Sequence, residues 1–237
     1  MRLVVGTRGS PLAVRQAEIV CDLIRAVRPD IGIVVRTYET SGDVRQDVPV
    51  SQLPPDAFTD RVEQALLDSE VDVAVHSYKD LPERATEGLV IAAVPVRADA
   101  REALVARNGR KLAELPPGAV VGISSERRAA AVRAQRPDLV LRPIRGAVDV
   151  RVAKVDAGQY DATVLAAAGL DRLGLIDRVT EFFDVAVMPP TPGQGALAVQ
   201  CRADDDLALA ILGGIDDSAL HASVDGERSG HMSPAQT

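Results

Sequence analysis

The chain has 237 residues, 46% hydrophobic and 26% charged, enough to build a real core and more than one average domain holds. A formal charge of −7 argues against a general nucleic-acid or membrane-surface binder, which would present a basic face. Two cysteines are too few for a disulfide scaffold or zinc site, the N-terminus lacks signal-peptide features, and no run approaches the roughly 20 apolar residues of a membrane span, so a cytoplasmic protein is expected.

The first predicted element is a short apolar strand over 3–5. Thr7-Arg8-Gly9 then turns the chain, Ser10 caps, and Pro11 suits the first helical position. Leu12, Ile19, Val20, Leu23 and Ile24 carry helical spacing up to Pro29, which stops the helix. A β-rich run covers 31–38, Ser41-Gly42-Asp43 turns away, and helical periodicity returns over 58–67. A buried-looking strand over 71–75 ends at His76-Ser77-Tyr78-Lys79-Asp80-Leu81-Pro82, and a strand over 89–94 leads into the charged crossing Arg97-Ala98-Asp99-Ala100-Arg101.

A second set of elements begins after Pro116-Pro117-Gly118. A strand over 120–123 meets a Ser124 or Ser125 cap and a helix over 127–134. Strands over 139–141 and 162–165 flank a helix over 148–155, and 166–175 reads as a short helical turn. The chain returns through Pro189-Pro190-Thr191-Pro192-Gly193-Gln194-Gly195 into an apolar strand over 196–200. Alternating strands and helices with short connections predict an α/β protein with mainly parallel or mixed sheets. The two sets and the late return predict two lobes with a central cleft: 1–96 with 194–215, and 97–193. Residues 216–237 are expected to be a C-terminal tail, polar and disordered over 225–234. Ligands of such folds sit beyond the carboxyl ends of strands, where helix N-termini favour anions.

Several side chains stand out against that frame. Arg127 and Arg128 fall in the first turn of a helix, where a cation opposes the helix dipole, a poor choice for stability alone. Arg145 and Arg151 follow on the next strand–helix unit; each alone reads as a surface residue, but together the four guanidiniums suit a substrate with several anionic groups. Asp80, at a strand's end, is placed for acid/base work or for stabilising a cation, and equally well for a turn in which it pairs with Lys79. His76 reads as a core or hinge histidine, and Gly193-Gln194-Gly195 as a hinge turn. No His, Cys and carboxylate cluster suggests a metal, and no nucleophile elbow, Walker loop or dinucleotide fingerprint is present.

Taken together, Thr7-Arg8-Gly9-Ser10-Pro11-Leu12-Ala13, Ser41-Gly42-Asp43, the segment from Asp72 to Pro82, Gly122-Ile123-Ser124-Ser125-Glu126-Arg127-Arg128, Ile144-Arg145-Gly146, Gly158-Gln159-Tyr160-Asp161-Ala162, Ala168-Gly169-Leu170 and Pro192-Gly193-Gln194-Gly195-Ala196 resemble the porphobilinogen deaminase (hydroxymethylbilane synthase) family, in family order. The resemblance implies a two-lobed fold like type II periplasmic binding proteins. It implies that Arg8, Ser10, Lys79, Arg127, Arg128, Arg145 and Arg151 face acetate and propionate groups, and that Asp80 matches the catalytic carboxylate, holding pyrrole N–H groups and steadying the cation left by departing ammonia. Ser124, Ser125 and Gln194 join them as substrate-binding candidates.

The sequence also departs from the family pattern. The family continues into a third domain whose cysteine carries a covalent dipyrromethane primer; here the sequence ends at Thr237, and neither Cys21 nor Cys201 fits that role, so no covalently bound cofactor is expected. Ser51-Gln52-Leu53-Pro54-Pro55-Asp56-Ala57 replaces a lysine- and glycine-rich lid, and Glu126 sets a negative charge beside the arginine pair. Three readings remain: an enzyme eliminating ammonia or water from a small carboxylated substrate without an anchored primer, a non-catalytic carboxylate binder, and a truncated synthase. The first is preferred, with Asp80 and Lys79 as catalytic groups, a small polycarboxylate as partner, and neither nucleic acid nor membrane.

Overall fold

The computed structural model describes residues 2–230. In chain order, β1 (Arg2–Arg8) leads into α1 (Pro11–Val27), β2 (Gly32–Tyr38), the single turn α2 (Ser41–Val44), α3 (Asp60–Leu67), β3 (Val73–Ser77) and β4 (Leu89–Ala93). Next come β5 (Glu102–Ala106), β6 (Val120–Ile123), α4 (Glu126–Gln135), β7 (Val140–Pro143), α5 (Val148–Asp156), β8 (Ala162–Ala166), α6 (Ala167–Arg172) and β9 (Glu181–Phe182). The chain then runs through β10 (Leu197–Arg202), α7 (Asp206–Gly213) and α8 (Ser218–Arg228).

Two five-stranded sheets result, ordered β2-β1-β3-β10-β4 and β7-β6-β8-β5-β9. They repeat one plan. In each, three parallel strands are followed by an antiparallel strand that arrives from the other half of the chain: β10 in the first sheet, β5 in the second. The sheets are therefore mixed. Residues 94–101 and 183–196 carry the chain between the sheets, and they pair with each other: Arg97 bridges Ala196, Ala98 N donates to Gly195 O at 3.0 Å, and Leu197 N donates to Val96 O at 3.1 Å.

Local chemistry explains the elements that frame the cleft. α1 starts where Ser10 Oγ accepts from Ala13 N at 3.3 Å with Pro11 behind it, and its C-cap N–H, on Arg28, closes onto Ile24 O at 2.8 Å just before Pro29. Ala13, Gln16, Ala17, Val20, Cys21 and Ile24 form its buried face, spaced three to four apart. Val20, Cys21 and Ile24 pack with Leu3, Val5, Val75, Val199 and Ile211 in one cluster under the first sheet. Each fully buried Val, Leu or Ile there contributes roughly 2 kcal/mol, so Ile24→Ala costs about 3 kcal/mol once its cavity is counted. A second cluster, including Leu104, Val121, Ile123, Val132, Val164 and Met188, lies under the second sheet.

One strand escapes the sequence reading, and one expectation is corrected. Residues 102–106 form a strand buried along its whole length, although the charged crossing before it masked its start. Most of the described tail is the helix α8, which takes in 225–228 of the stretch expected to be disordered; it is capped by Asp217, whose side chain accepts from Leu220 N at 3.1 Å. Leu220 and Val224 seat it against Tyr78, Leu81, Val94 and Ala198. Four residues apart on one face, they bury enough apolar surface to order a segment that is polar on average. The rest of that expected tail, 231–237, lies outside the described residues. No helix among the described residues is long and apolar enough to cross a membrane.

Candidate functional site

The carboxyl ends of β1, β3, β6 and β7 point into one cleft, as open α/β sheets require. Its cavity of about 730 Å³ is lined from both sheets. Seven arginine and lysine side chains border it against three carboxylates, Glu39, Asp43 and Asp80, in a protein whose formal charge is −7. The excess of cations is thus local, and it marks a site for an anion.

Arg8, at the end of β1, donates through Nε to Asp43 Oδ2 at 3.1 Å, with a second ion-pair contact between the same two side chains. Its guanidinium lies 4.7 Å from the Phe58 ring centroid, and Nη1 stands 3.8 Å from Asp80 Oδ2. Asp43 also accepts from Thr40 Oγ1 at 2.8 Å, which fastens α2 beside the cleft. Burial pushes the Asp43 carboxyl up, and Arg8 and Thr40 outweigh it, leaving it below the usual carboxylate range. Ser10 lines the cleft while its hydroxyl caps α1.

Lys79 and Asp80 sit in a 3₁₀ turn immediately after β3. Lys79 Nζ donates to Gln194 Oε1 at 2.9 Å, and no carboxylate lies within ion-pair distance among the described residues. Burial, and next the neighbouring Arg128, push its ammonium down to about 8 against the opposing pull of Asp80. Gln194 itself is fully enclosed: its amide spans from Lys79 to Ala100 O, 2.7 Å away, and it does not line the cavity. It is placed to hold Lys79.

Ser124 and Ser125 follow β6, and α4 starts at Glu126 with no side-chain hydrogen bond at its N-cap Ser125. The expected hydroxyl cap is absent there, and both serines border the cleft. Glu126 turns outward, 84% exposed at its side chain and 3.9 Å from Arg133. Its charge therefore lies outside the cavity. Arg127 and Arg128 both grip the buried Glu102, with Arg128 Nη2 2.7 Å from Oε2. Arg127 also reaches Pro189 O and Thr191 Oγ1, and Arg128 Nη1 reaches Val164 O at 3.2 Å, while Arg128 Nε has no partner among the described residues. Burial raises the Glu102 carboxyl, but Arg128, Lys79 and Arg127 together hold it at about 2.

Arg145 and Arg151 have no carboxylate partner within ion-pair distance among the described residues. Arg145 Nη2 crosses the cleft to Gly42 O at 3.1 Å and Arg45 O at 3.0 Å, and its Nε is unpartnered. Arg151 donates to Gly146 O at 2.7 Å and to Ser124 Oγ at 2.9 Å. Burial, followed by Arg128 and Arg145, pushes the Arg151 guanidinium down to about 10. Such crowding of like charge is relieved when an anion enters. Every predicted binding residue except Gln194 lines this cavity.

Sequence reasoning missed Arg172, Phe58, Gln16 and Glu102. Arg172 closes α6, donates to Gly195 O at 2.6 Å and borders the cleft, with its guanidinium pushed down by burial to about 10. In the sequence, Asp171-Arg172 carries no signal beyond that of an ordinary helix end. His76 is buried with Nε2 unpartnered, and burial pushes it down to about 4. Among the described residues no group of three His, Cys, Asp or Glu side chains is arranged to hold a metal ion.

The family model described as "Porphobilinogen deaminase, dipyromethane cofactor binding domain" matches residues 3–210. The chain belongs to the porphobilinogen deaminase family. That family consists of enzymes of tetrapyrrole synthesis. The porphobilinogen deaminase of Acidothermus cellulolyticus is 49% identical over 230 residues, covering 95% of this chain and 69% of that protein. The porphobilinogen deaminase of Desulforudis audaxviator is 48% identical over 228 residues, covering 96% and 74%. Among solved structures, the methionine-binding protein MetQ superposes with a TM-score of 0.57 at 12% identity, over 97% of this chain and 96% of that one. The fold is accordingly the two-lobed architecture of type II periplasmic binding proteins.

The cleft can be tested for its fit to a dipyrromethane. Arg128, Arg145 and Arg151, with the two serines, line the cavity and are a donor set suited to the carboxylates of a dipyrrole. The non-covalent shell fits. Cys21 and Cys201 are packed in the core under the first sheet, away from the cavity, so among the described residues no thiol reaches it.

Proposed function

We propose that this porphobilinogen deaminase relative binds a carboxylated pyrrole of the porphobilinogen type in the cleft and eliminates ammonia from its aminomethyl group. The observation that carries the reading is one cavity where Arg8, Arg128, Arg145 and Arg151 from both sheets surround the Lys79-Asp80 turn. Acetate and propionate groups match guanidinium forks, and Arg145 and Arg151 bond only to uncharged oxygens, which leaves their charge for a ligand anion. Asp80, 29% exposed at its side chain, is open to the cleft, with Arg8 as its closest cation at 3.8 Å.

From the protonated aminomethyl group, elimination breaks the bond between the methylene carbon and nitrogen; ammonia leaves with the electron pair, and the pyrrole ring carries the positive charge until a nucleophile, water or a second pyrrole, adds to the methylene carbon. A carboxylate accepting the pyrrole N–H is the group that stabilises that charge, and Asp80 supplies it. Lys79, fixed by Gln194, contributes a cation for a ligand carboxylate at the same edge. The arginines hold the ring over Asp80, the positioning share of catalysis. A dipyrrole, when bound, supplies a primer for chain growth; Arg128, Arg145, Arg151, Ser124 and Ser125 would hold it here by its carboxylates, without a thioether to Cys21 or Cys201.

The test is calorimetric titration with porphobilinogen, followed by assays of released ammonia and pyrrolic products. Binding with stoichiometric ammonia release supports the reading. Binding without ammonia after long incubation makes the protein a carboxylate binder, and no binding removes the pyrrole.

A further inference from the structure

We propose that Glu227, on α8 and beyond the segment matched by the family model, is a positioning residue that sets Lys79 through the paired crossings between the sheets. The inference rests on the reading in which Lys79 meets the ligand, and it adds a residue to which neither the family match nor the cleft lining gives a role.

The connection is a continuous set of hydrogen bonds. Glu227 has a fully buried side chain; Oε1 accepts from Arg97 Nη1 at 2.6 Å, and Oε2 accepts from Arg97 Nη2 at 3.2 Å and from Gly193 N at 2.9 Å. One carboxylate therefore pins both crossings, since Arg97 lies on the first and Gly193 on the second. Arg97 then continues the chain of contacts, with Nε donating to Gln194 O at 3.1 Å. The Gln194 side chain spans from Ala100 O to Lys79 Nζ, at 2.7 and 2.9 Å. From Glu227 to the lysine every link is a direct bond, and the intervening groups are almost wholly removed from water.

The loop has little slack with which to absorb a change. Gly193 (φ 71°) and Gly195 (φ 89°) occupy the left-handed region, and a Cβ on either would collide with the Tyr78 ring or with Ala98 O. Tyr78, next to Lys79, is itself bonded through its hydroxyl to Asp225 of α8, with Arg228 5.6 Å from its ring centroid. α8 thus grips the turn carrying Lys79 from one side and the loop carrying Gln194 from the other. A simple structural ion pair would end at Arg97. Here the guanidinium's third nitrogen carries the constraint on to the backbone of Gln194, whose side chain holds the lysine.

The chain has three lysines, Lys79, Lys111 and Lys154, so competitive acetylation with acetic anhydride at one fixed pH reads Lys79 against two internal standards. Glu227→Gln keeps the shape and removes the charge. In that variant the Lys79 labelling ratio is expected to rise about tenfold, the scale of losing one charge-assisted hydrogen bond. Arg97→Lys, which preserves the charge against Glu227 but lacks the Nε donor, is expected to show the same rise. Unchanged ratios in variants with native circular dichroism overturn the inference. So does failure of both to fold, which makes Glu227 a structural clamp only. Labelling needs no substrate: if Lys79 responds while the parent protein releases no ammonia, the proposed reaction fails and this inference stands.

Discussion

Arg128 and Glu102 meet at 2.7 Å under the cleft, and Arg127 takes the other carboxylate oxygen. The pair of arginines most conspicuous in the sequence is therefore already neutralised by half. What remains for a ligand is the charge on Arg145 and Arg151, which bond only to uncharged oxygens. Glu102 orders the first two guanidiniums, and the second sheet's other two carry the unbalanced charge.

Glu102→Gln should destabilise the protein by about 3 kcal/mol, the cost of leaving buried guanidiniums without their counter-charge. The amide can still accept one hydrogen bond, so the fold should survive. Urea denaturation at neutral pH measures the loss. A change below about 0.5 kcal/mol would show that Glu102 is not needed to keep these arginines under the cleft.

Asp80→Asn should lower ammonia release by at least about a hundredfold, while porphobilinogen affinity stays within about threefold. The substitution keeps the shape and removes the charge that stabilises the ring cation. Steady-state assays beside calorimetry separate the two effects. Equal losses of binding and turnover would make Asp80 a ligand anchor instead.

The contrast between Arg127 and Glu102 shows what the sequence could disclose. A serine pair after a strand and two arginines in a helix's first turn are local signals, and strand-end geometry then put them in a cleft. The counter-ion was not local. Glu102 sits beside Arg101 in a charged stretch and reads as solvated, and only the antiparallel pairing of β5 with β8 buries it below α4. Gln194 was expected to bind substrate, but its direction, away from the cavity and onto Lys79, depends on how two distant crossings pair. α8 left a faint trace, an Asp217 cap followed by Leu220 and Val224, which the surrounding polar residues and Gly226 obscured.

Arg151→Ala should weaken porphobilinogen binding by about tenfold to a hundredfold, the worth of a hydrogen bond to a charged group in a partly dry site. Arg151 has no carboxylate to neutralise it, so a ligand anion gains its full attraction. Arg127→Ala should cost less than about threefold in affinity, because Glu102 already balances that guanidinium, and its main effect should be on stability. Calorimetry on both variants checks the order. Arg127 proving the more important for binding would mean that the ligand displaces it from Glu102.

Acid should destabilise the protein in two successive windows, and His76 defines the first. Burial pushes its imidazole from the ordinary 6.5 down to about 4, against a partial opposing pull from Asp80 and Gln200, while Arg8 adds to the depression. Between those values the unfolded chain binds the proton and the folded chain does not. Stability from this group is therefore complete above pH 6.5 and falls as pH drops toward 4, by about 3 kcal/mol at roughly 1.4 kcal/mol per pKa unit. Glu102 acts lower down: held at about 2 against an ordinary 4.5, it contributes stability that is lost as pH falls from 4.5 toward 2. Urea midpoints for the parent and for His76→Gln at pH 7, 5.5, 4 and 3 resolve the two windows. The variant should lose the slope between pH 6.5 and 4 and keep the fall below it that Glu102 causes. If the first slope persists without the imidazole, another group is titrating there, and His76 is protonated in the folded protein as readily as in the unfolded chain.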